Sequence, residues 1–240
     1  MFDSLNLKSV NKSYGAKQAL KNINLNIESG KIVGLLGPNG SGKTTMIKLM
    51  VGLTKPSSGI VTICGHEPGK VTKSYVSYLP DKDFLDINMS IEDTIRMFAD
   101  FYADFDIGIA YKLLEDLQVP YKFKIKALSK GNREKLMLIL VMSRRAKLYV
   151  LDEPIAGVDP VARDYILNTI VGNYNKTATV IISTHLIADV EKILDDVIFI
   201  KDGEIILHET SAAIRNEKGC CVDEYFREVY DDGQNDKVRI

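Results

Sequence analysis

The chain has 240 residues, 45% hydrophobic and 26% charged, an ordinary globular composition. Its 31 Lys and Arg against 32 Asp and Glu give a net charge of −1, so it lacks the overall basic field that a DNA-binding surface usually needs, and no nucleic-acid partner is expected. The longest apolar run, Leu136–Met142, is far short of the roughly 20 residues that cross a bilayer. Met1–Lys12 lacks the charged-then-apolar order of a secretory signal. Cys64, Cys220 and Cys221 cannot make a disulfide framework, and a reducing, cytoplasmic setting follows.

The first 65 residues alternate β-like runs with glycine punctuation. Leu20, Ile23, Leu25 and Ile27 mark strand material ending at Gly30. Lys31–Leu36 reads as a strand buried on both faces. A glycine-rich loop and a helix, Thr44–Val51, follow. Short strands are expected between Gly59 and Gly65 and over Tyr75–Leu79. The middle is helical: Ile91–Tyr102 with Ser90 as N-cap and Glu92 and Asp93 in the first turn, then Ala110–Leu117 and Gly131–Arg145. From Lys147 the alternation returns, with strands Leu148–Leu151 and Thr179–Ser183 and helices Val161–Val171 and Leu186–Leu194. Val197–Ile200 and Ile205–Leu207 flank Asp202-Gly203, a hairpin signal. A short amphipathic helix, Val222–Val229, lies in an acidic tail. The pattern predicts an α/β core, about 1–80 and 146–218, with a mostly parallel sheet. A helical insertion of about 81–145 interrupts it, and a tail of about 219–240 follows.

Gly37-Pro38-Asn39-Gly40-Ser41-Gly42-Lys43-Thr44 fits the G-x-x-x-x-G-K-[ST] pattern, with a buried strand before it and a helix after. Its glycines let successive N–H groups face one anion, and the helix N-terminus adds partial positive charge. Lys43 is expected on the β- and γ-phosphates and the Thr44 hydroxyl on Mg²⁺, with Thr45 also near the nucleotide. Leu148–Leu151 runs into Asp152-Glu153, and open α/β sheets do their ligand chemistry at the carboxyl ends of strands. Asp152 is placed to hold Mg²⁺ through water, and Glu153 to polarise an attacking water.

Over nearly its whole length the chain resembles the nucleotide-binding subunits of ABC transporters. Leu128-Ser129-Lys130-Gly131-Asn132 is similar to that family's signature segment, usually LSGGQ, and Gly157-Val158-Asp159 to its D-loop. Ser183-Thr184-His185 resembles the switch-histidine region. Tyr14-Gly15 sits where the family places an aromatic on adenine, and Val222–Phe226 resembles its closing segment. The resemblance implies a P-loop NTPase core with an N-terminal antiparallel β portion. It also implies two subunits sandwiching two ATP molecules. Each nucleotide would lie between one phosphate loop and the other subunit's Ser129 and Gly131, with His185 on the γ-phosphate. The dimer could be of identical or different subunits. A separate transmembrane permease would hold the chain on the inner face of the membrane.

Three residues depart from the family pattern, one of them, Asn132 for the glutamine that ends the signature, conservatively. Asp81 stands where glutamine usually contacts Mg²⁺ and the attacking water. Lys130 replaces a glycine of the signature. Rival readings are a soluble ATPase of the same family, a module that uses ATP as a switch without useful hydrolysis, and a small-molecule kinase. One set of motifs and a modest insertion disfavour the first. Glu153 disfavours the second, and the signature and D-loop disfavour the third. His66 and His208 lack such context.

Overall fold

The computed structural model describes residues 3–158 and 160–231, so Asp159 of the D-loop segment lies outside the described residues. The chain opens with a hairpin, β1 (Asp3–Tyr14) and β2 (Lys17–Glu28), followed by β3 (Ile32–Leu36), α1 (Lys43–Met50) and β4 (Ser58–Ile63). β1, β2 and β4 form one antiparallel sheet in the order β2-β1-β4. β1 has no clean alternation in sequence. Leu5, Leu7 and Val10 all point inward because the register slips between Leu7 and Val10, where Ser9 takes φ 49°.

α2 (Lys70–Tyr75), which the sequence reading did not anticipate, leads into β5 (Val76–Leu79). Its start is fixed by Thr72, whose hydroxyl accepts from the Gly69 amide at 2.8 Å. Then come α3 (Ile91–Phe101), α4 (Ile107–Asp116) and α5 (Lys130–Met142) before β6 (Leu148–Asp152). Ser90 caps α3 as expected, accepting from the Asp93 amide at 3.0 Å. Leu136–Met142 is buried throughout and is the core of α5. α5 is tied to β5 by the Ser77 hydroxyl donating to the Val141 carbonyl at 2.8 Å.

Arg144 is the other tie. Buried, it donates to the Val76 and Ser74 carbonyls and to both carboxylate oxygens of Asp104, and its guanidinium lies 3.9 Å from the centre of the Tyr102 ring. One side chain therefore spans from strand β5 to the segment joining α3 and α4.

α6 (Pro160–Asn173), β7 (Thr179–Thr184), α7 (Ile187–Val190), β8 (Asp196–Lys201) and β9 (Glu204–Thr210) complete the core. Leu186–Leu194 is not one helix. α7 gives way to a 3₁₀ turn over Glu191–Ile193, because the chain must descend to start β8, with Asp196 opposite Val33. After a short turn, α8 (Ser211–Ala213), α9 (Val222–Asp231) lays Phe226 edge-on against Phe199 of β8, ring centres 5.2 Å apart.

The second sheet has the order β5-β6-β7-β3-β8-β9, parallel except for β9. Its strands alternate between two cores. Ile32, Leu36, Tyr149, Leu151, Val180 and Ile182 face the helical side. Val33, Leu35, Leu148, Val150 and Ile181 face α1 and the antiparallel sheet. The register sets Leu79 beside Leu151, Asp152 beside Ser183 and Leu36 beside Thr184. The loops that follow β3, β5, β6 and β7 therefore emerge along one edge. Among the described residues no helix is long and apolar enough to cross a membrane.

Candidate nucleotide site

That edge carries a cleft of about 760 Å³. One wall is the phosphate loop, with Asn39, Gly40, Gly42, Lys43, Thr44 and Thr45 lining the cleft. Gly40 and Gly42 take φ of 81° and 117°, the left-handed region open to glycine. Gly37, Pro38 and Ser41 stand behind the lining. A side chain at Gly37 would collide with the Ile200 carbonyl, so the loop sits directly on β8. The Lys43 ammonium is buried and donates to the Gly37 carbonyl at 2.6 Å and the Pro38 carbonyl at 3.1 Å. Burial pushes its pKa down, against the pull of Glu153 and Asp152. α1 has no acidic residue in its first turn, so its positive end stays uncompensated.

The carboxylates come from the end of β6. Asp152 is 2% exposed, and its Oδ1 accepts from the Ser183 hydroxyl at 2.5 Å. Burial raises its pKa despite that hydroxyl. Its Oδ2 is buried with no hydrogen-bond partner. A buried carboxylate oxygen without a partner is costly, and a cation is one group that satisfies it. Thr44 and Asp81 line the same cleft, and Asp81 is close enough to raise the Asp152 pKa. Among the described residues no group of three or more His, Cys, Asp or Glu could hold a metal by itself. The donors present therefore fit Mg²⁺ bound jointly with phosphate oxygens, the way this ion usually binds.

Glu153 takes φ 52°, unusual for a residue with a side chain, and its amide donates to the Ser183 carbonyl at 3.0 Å. The turn swings its carboxylate to His185, whose Nδ1 lies 3.0 Å from Oε2. Sequence reading had placed both residues at strand ends but had not joined them. The contact exists because Asp152 pairs with Ser183, which brings the residues after each strand together. A second cavity of about 280 Å³ continues from Asn39, Asp81, Glu153 and His185 to Glu134 and Met137 of α5.

Tyr14 stands at the β1–β2 turn, 48% exposed, with the Lys12 ammonium 4.8 Å from its ring centre. It is not a core tyrosine, and it does not itself line the cleft. Its strand partner Lys17, with Gln18 and Ala19, does. Ser129 caps α5, accepting from the Asn132 amide at 3.2 Å, so the helix starts at Lys130, one residue before the expected Gly131. Ser129, Lys130 and Gly131 are exposed and line neither cavity. Lys130 reaches back 3.8 Å to Glu134.

Sequence reasoning missed Lys17, Gln18, Ala19, Lys21, Asp202 and Gly203 as cleft residues, and Ser183 as the partner of Asp152. Asp202-Gly203 was visible only as a turn. The others carry no local signal.

The ABC transporter family profile matches residues 20–156. The Nod factor export ATP-binding protein I of Burkholderia lata is 30% identical over 232 residues, which cover 92% of this chain and 76% of that protein. A solved ATP-binding subunit of an ABC transporter superposes with a TM-score of 0.83 at 27% identity, over 94% of this chain and 99% of that one. A dimeric ATP-binding cassette solved in a post-hydrolysis state with ADP and phosphate has the same fold, with a TM-score of 0.76 at 24% identity over 86% of this chain and 98% of that one. Since the profile spans more than half the chain and the alignment nearly all of it, this protein belongs to the ABC transporter family, as an ATP-binding ATPase subunit.

Proposed function

We propose that ATP binds in the cleft and is hydrolysed between two facing subunits, and that the cycle drives a separate membrane permease. The observation behind this is a division of parts. Lys43, Asp152 and Glu153 converge on one cleft, with His185 held against Glu153 in the adjoining cavity, while Ser129, Lys130 and Gly131 present the N-terminus of α5 to solvent away from both. A helix N-terminus is suited to an anion, and in this reading that anion is the nucleotide bound by the facing subunit. The dimeric cassette of the same fold supports this arrangement.

In this reading the loop amides and Lys43 take the phosphates. Lys43 exchanges the Gly37 and Pro38 carbonyls for phosphate oxygens, so a buried ammonium gains a full opposite charge. Glu153 orients a water toward the γ-phosphorus and accepts its proton as the bond to the β–γ bridging oxygen breaks and ADP leaves with that electron pair. His185 holds one carboxylate oxygen through Nδ1, leaving Oε1 for the water. Mg²⁺ would be held by Thr44 and Asp152, with Asp81 reaching it through water, and supplies charge neutralisation when bound.

A groove of about 440 Å³ opens beside β5, lined by Leu53, Tyr78, Phe84, Phe98 and Tyr102 with Arg144 at its base. Leu53 and Phe84 are 62% and 40% exposed. We take it as the seat of a permease segment, which would set the chain on the inner face of the membrane. The helical part, about 81–145, would be the side turned to that partner. No nucleic acid enters the cycle.

The test is the dependence of phosphate release on protein concentration. With an active dimer, the rate per chain rises with concentration and then saturates. A rate per chain that stays constant across the same range would assign turnover to a single subunit.

Tyr14 is proposed to stack on adenine from the cleft rim. Base–aromatic stacking contributes about 1–3 kcal/mol. Tyr14→Ala should therefore weaken ATP binding while Tyr14→Phe leaves it unchanged, as measured by equilibrium titration. An Ala variant that binds as tightly as the original would remove Tyr14 from the site.

A further inference from the structure

The phosphate loop is held from below by a segment that no motif marks. β8 and β9 are joined by the two-residue turn Asp202-Gly203, with φ of 50° and 81° at its two positions. The Gly203 amide donates to the Ser41 carbonyl of the phosphate loop at 2.8 Å. The Gly203 carbonyl accepts from the Lys21 amide of β2, also at 2.8 Å. One residue therefore bonds the phosphate loop with one side of its backbone and the antiparallel sheet with the other.

The packing there leaves no room for a side chain. A Cβ on Gly203 would lie 2.6 Å from the Ala19 carbonyl oxygen and 3.2 Å from the Leu20 Cα, backbone atoms that cannot swing away. A Cβ on Gly42 would lie 3.0 Å from that same Ala19 oxygen. Three backbone segments thus meet at one point. Next to it, the Ile200 carbonyl abuts Gly37 and accepts from the Tyr230 hydroxyl of α9 at 2.9 Å. Ala19, Lys21, Gly42 and Lys43 all line the cleft.

We propose that the Asp202-Gly203 turn is a strut that sets the distance between the phosphate loop and the antiparallel sheet, making Gly203 a positioning residue for nucleotide binding. The proposal rests on ATP being the ligand of this cleft. Gly203 also lines the cleft, but it has no side chain to offer there and both its amide and its carbonyl are taken by backbone partners, so it acts through the loop.

Gly203→Ala should raise the KM for ATP on the order of tenfold, the scale that a misplacement near 1 Å produces, with kcat changed less than threefold. Gly219→Ala is the control. It imposes the same left-handed strain, φ 68°, with nothing within 4 Å of the new carbon, and should leave KM unchanged. A second measurement uses the unaltered protein, so it stands even if Gly203→Ala does not fold. ATP should slow hydrogen exchange at the Gly203 and Lys21 amides by about tenfold or more, because nucleotide bound against the segments they join suppresses their opening. Unchanged exchange at both amides overturns the strut, whatever the variant does. So does a folded Gly203→Ala with the original KM. Failure of the underlying reading looks different, because the unaltered protein would then bind no ATP.

Discussion

Glu153→Gln is expected to cut turnover by about a thousandfold while ATP still binds, within the range of a lost general base. The substitution keeps length and shape, and the amide oxygen can still accept from His185 Nδ1, which sits 3.0 Å away in the original. What disappears is the carboxylate that takes the water's proton. Binding depends on the loop and Lys43, which Glu153 does not support directly. The nucleotide-bound dimer should therefore accumulate, because the step that reopens it is blocked. Single-turnover phosphate release and size-exclusion with and without ATP measure the two halves separately. Turnover at the original rate would exclude Glu153 as the base.

Lys43→Ala should act earlier in the cycle. A hydrogen bond to a charged group contributes about 1.5–3 kcal/mol, so ATP affinity should fall by roughly 10- to 100-fold. Productive turnover should be lost with it. The variant also strips the Gly37 and Pro38 carbonyls of their donor, so part of the loss could come from a loosened loop. Lys43→Met, which keeps the stem but lacks the same donor, separates loss of the ammonium from loss of the packed stem. If Met and Ala weaken binding alike, the ammonium is responsible. Original affinity in both variants would remove Lys43 from the phosphates.

The parts of the site that were legible in sequence are those coded over a few consecutive residues. The phosphate loop is a spacing rule, and β3, β6 and β7 are apolar runs buried on both faces. Asp152 and Glu153 could be placed because a strand end is a local event. Their partners could not. Ser183 and His185 reach them only through the β6–β7 register, which no short window of sequence contains. Gly203 was read as a turn residue because its turn is local, while its bonds to Ser41 and Lys21 join distant segments. β1 escaped because its alternation is broken at Ser9 and most of its residues are polar. Helix ends drifted where tertiary demands intervened, as at α7, cut short by the entry into β8.

The two margins of the six-stranded sheet set a limit on how copies of this chain can join. β5 has four residues, too few to template a neighbour, with α5 fastened against it by Ser77. β9 carries Glu204, His208 and Glu209 along its length, and Glu204 is already engaged by Lys21 at 3.3 Å. Short or charged margins discourage strand addition, the route to fibres and swapped sheets. Copies that meet at the loop-bearing end do so without merging their sheets. In the proposed dimer such a contact parts at the cost of loop and helix-end interactions, with no hydrogen-bonded ladder to unzip on each cycle.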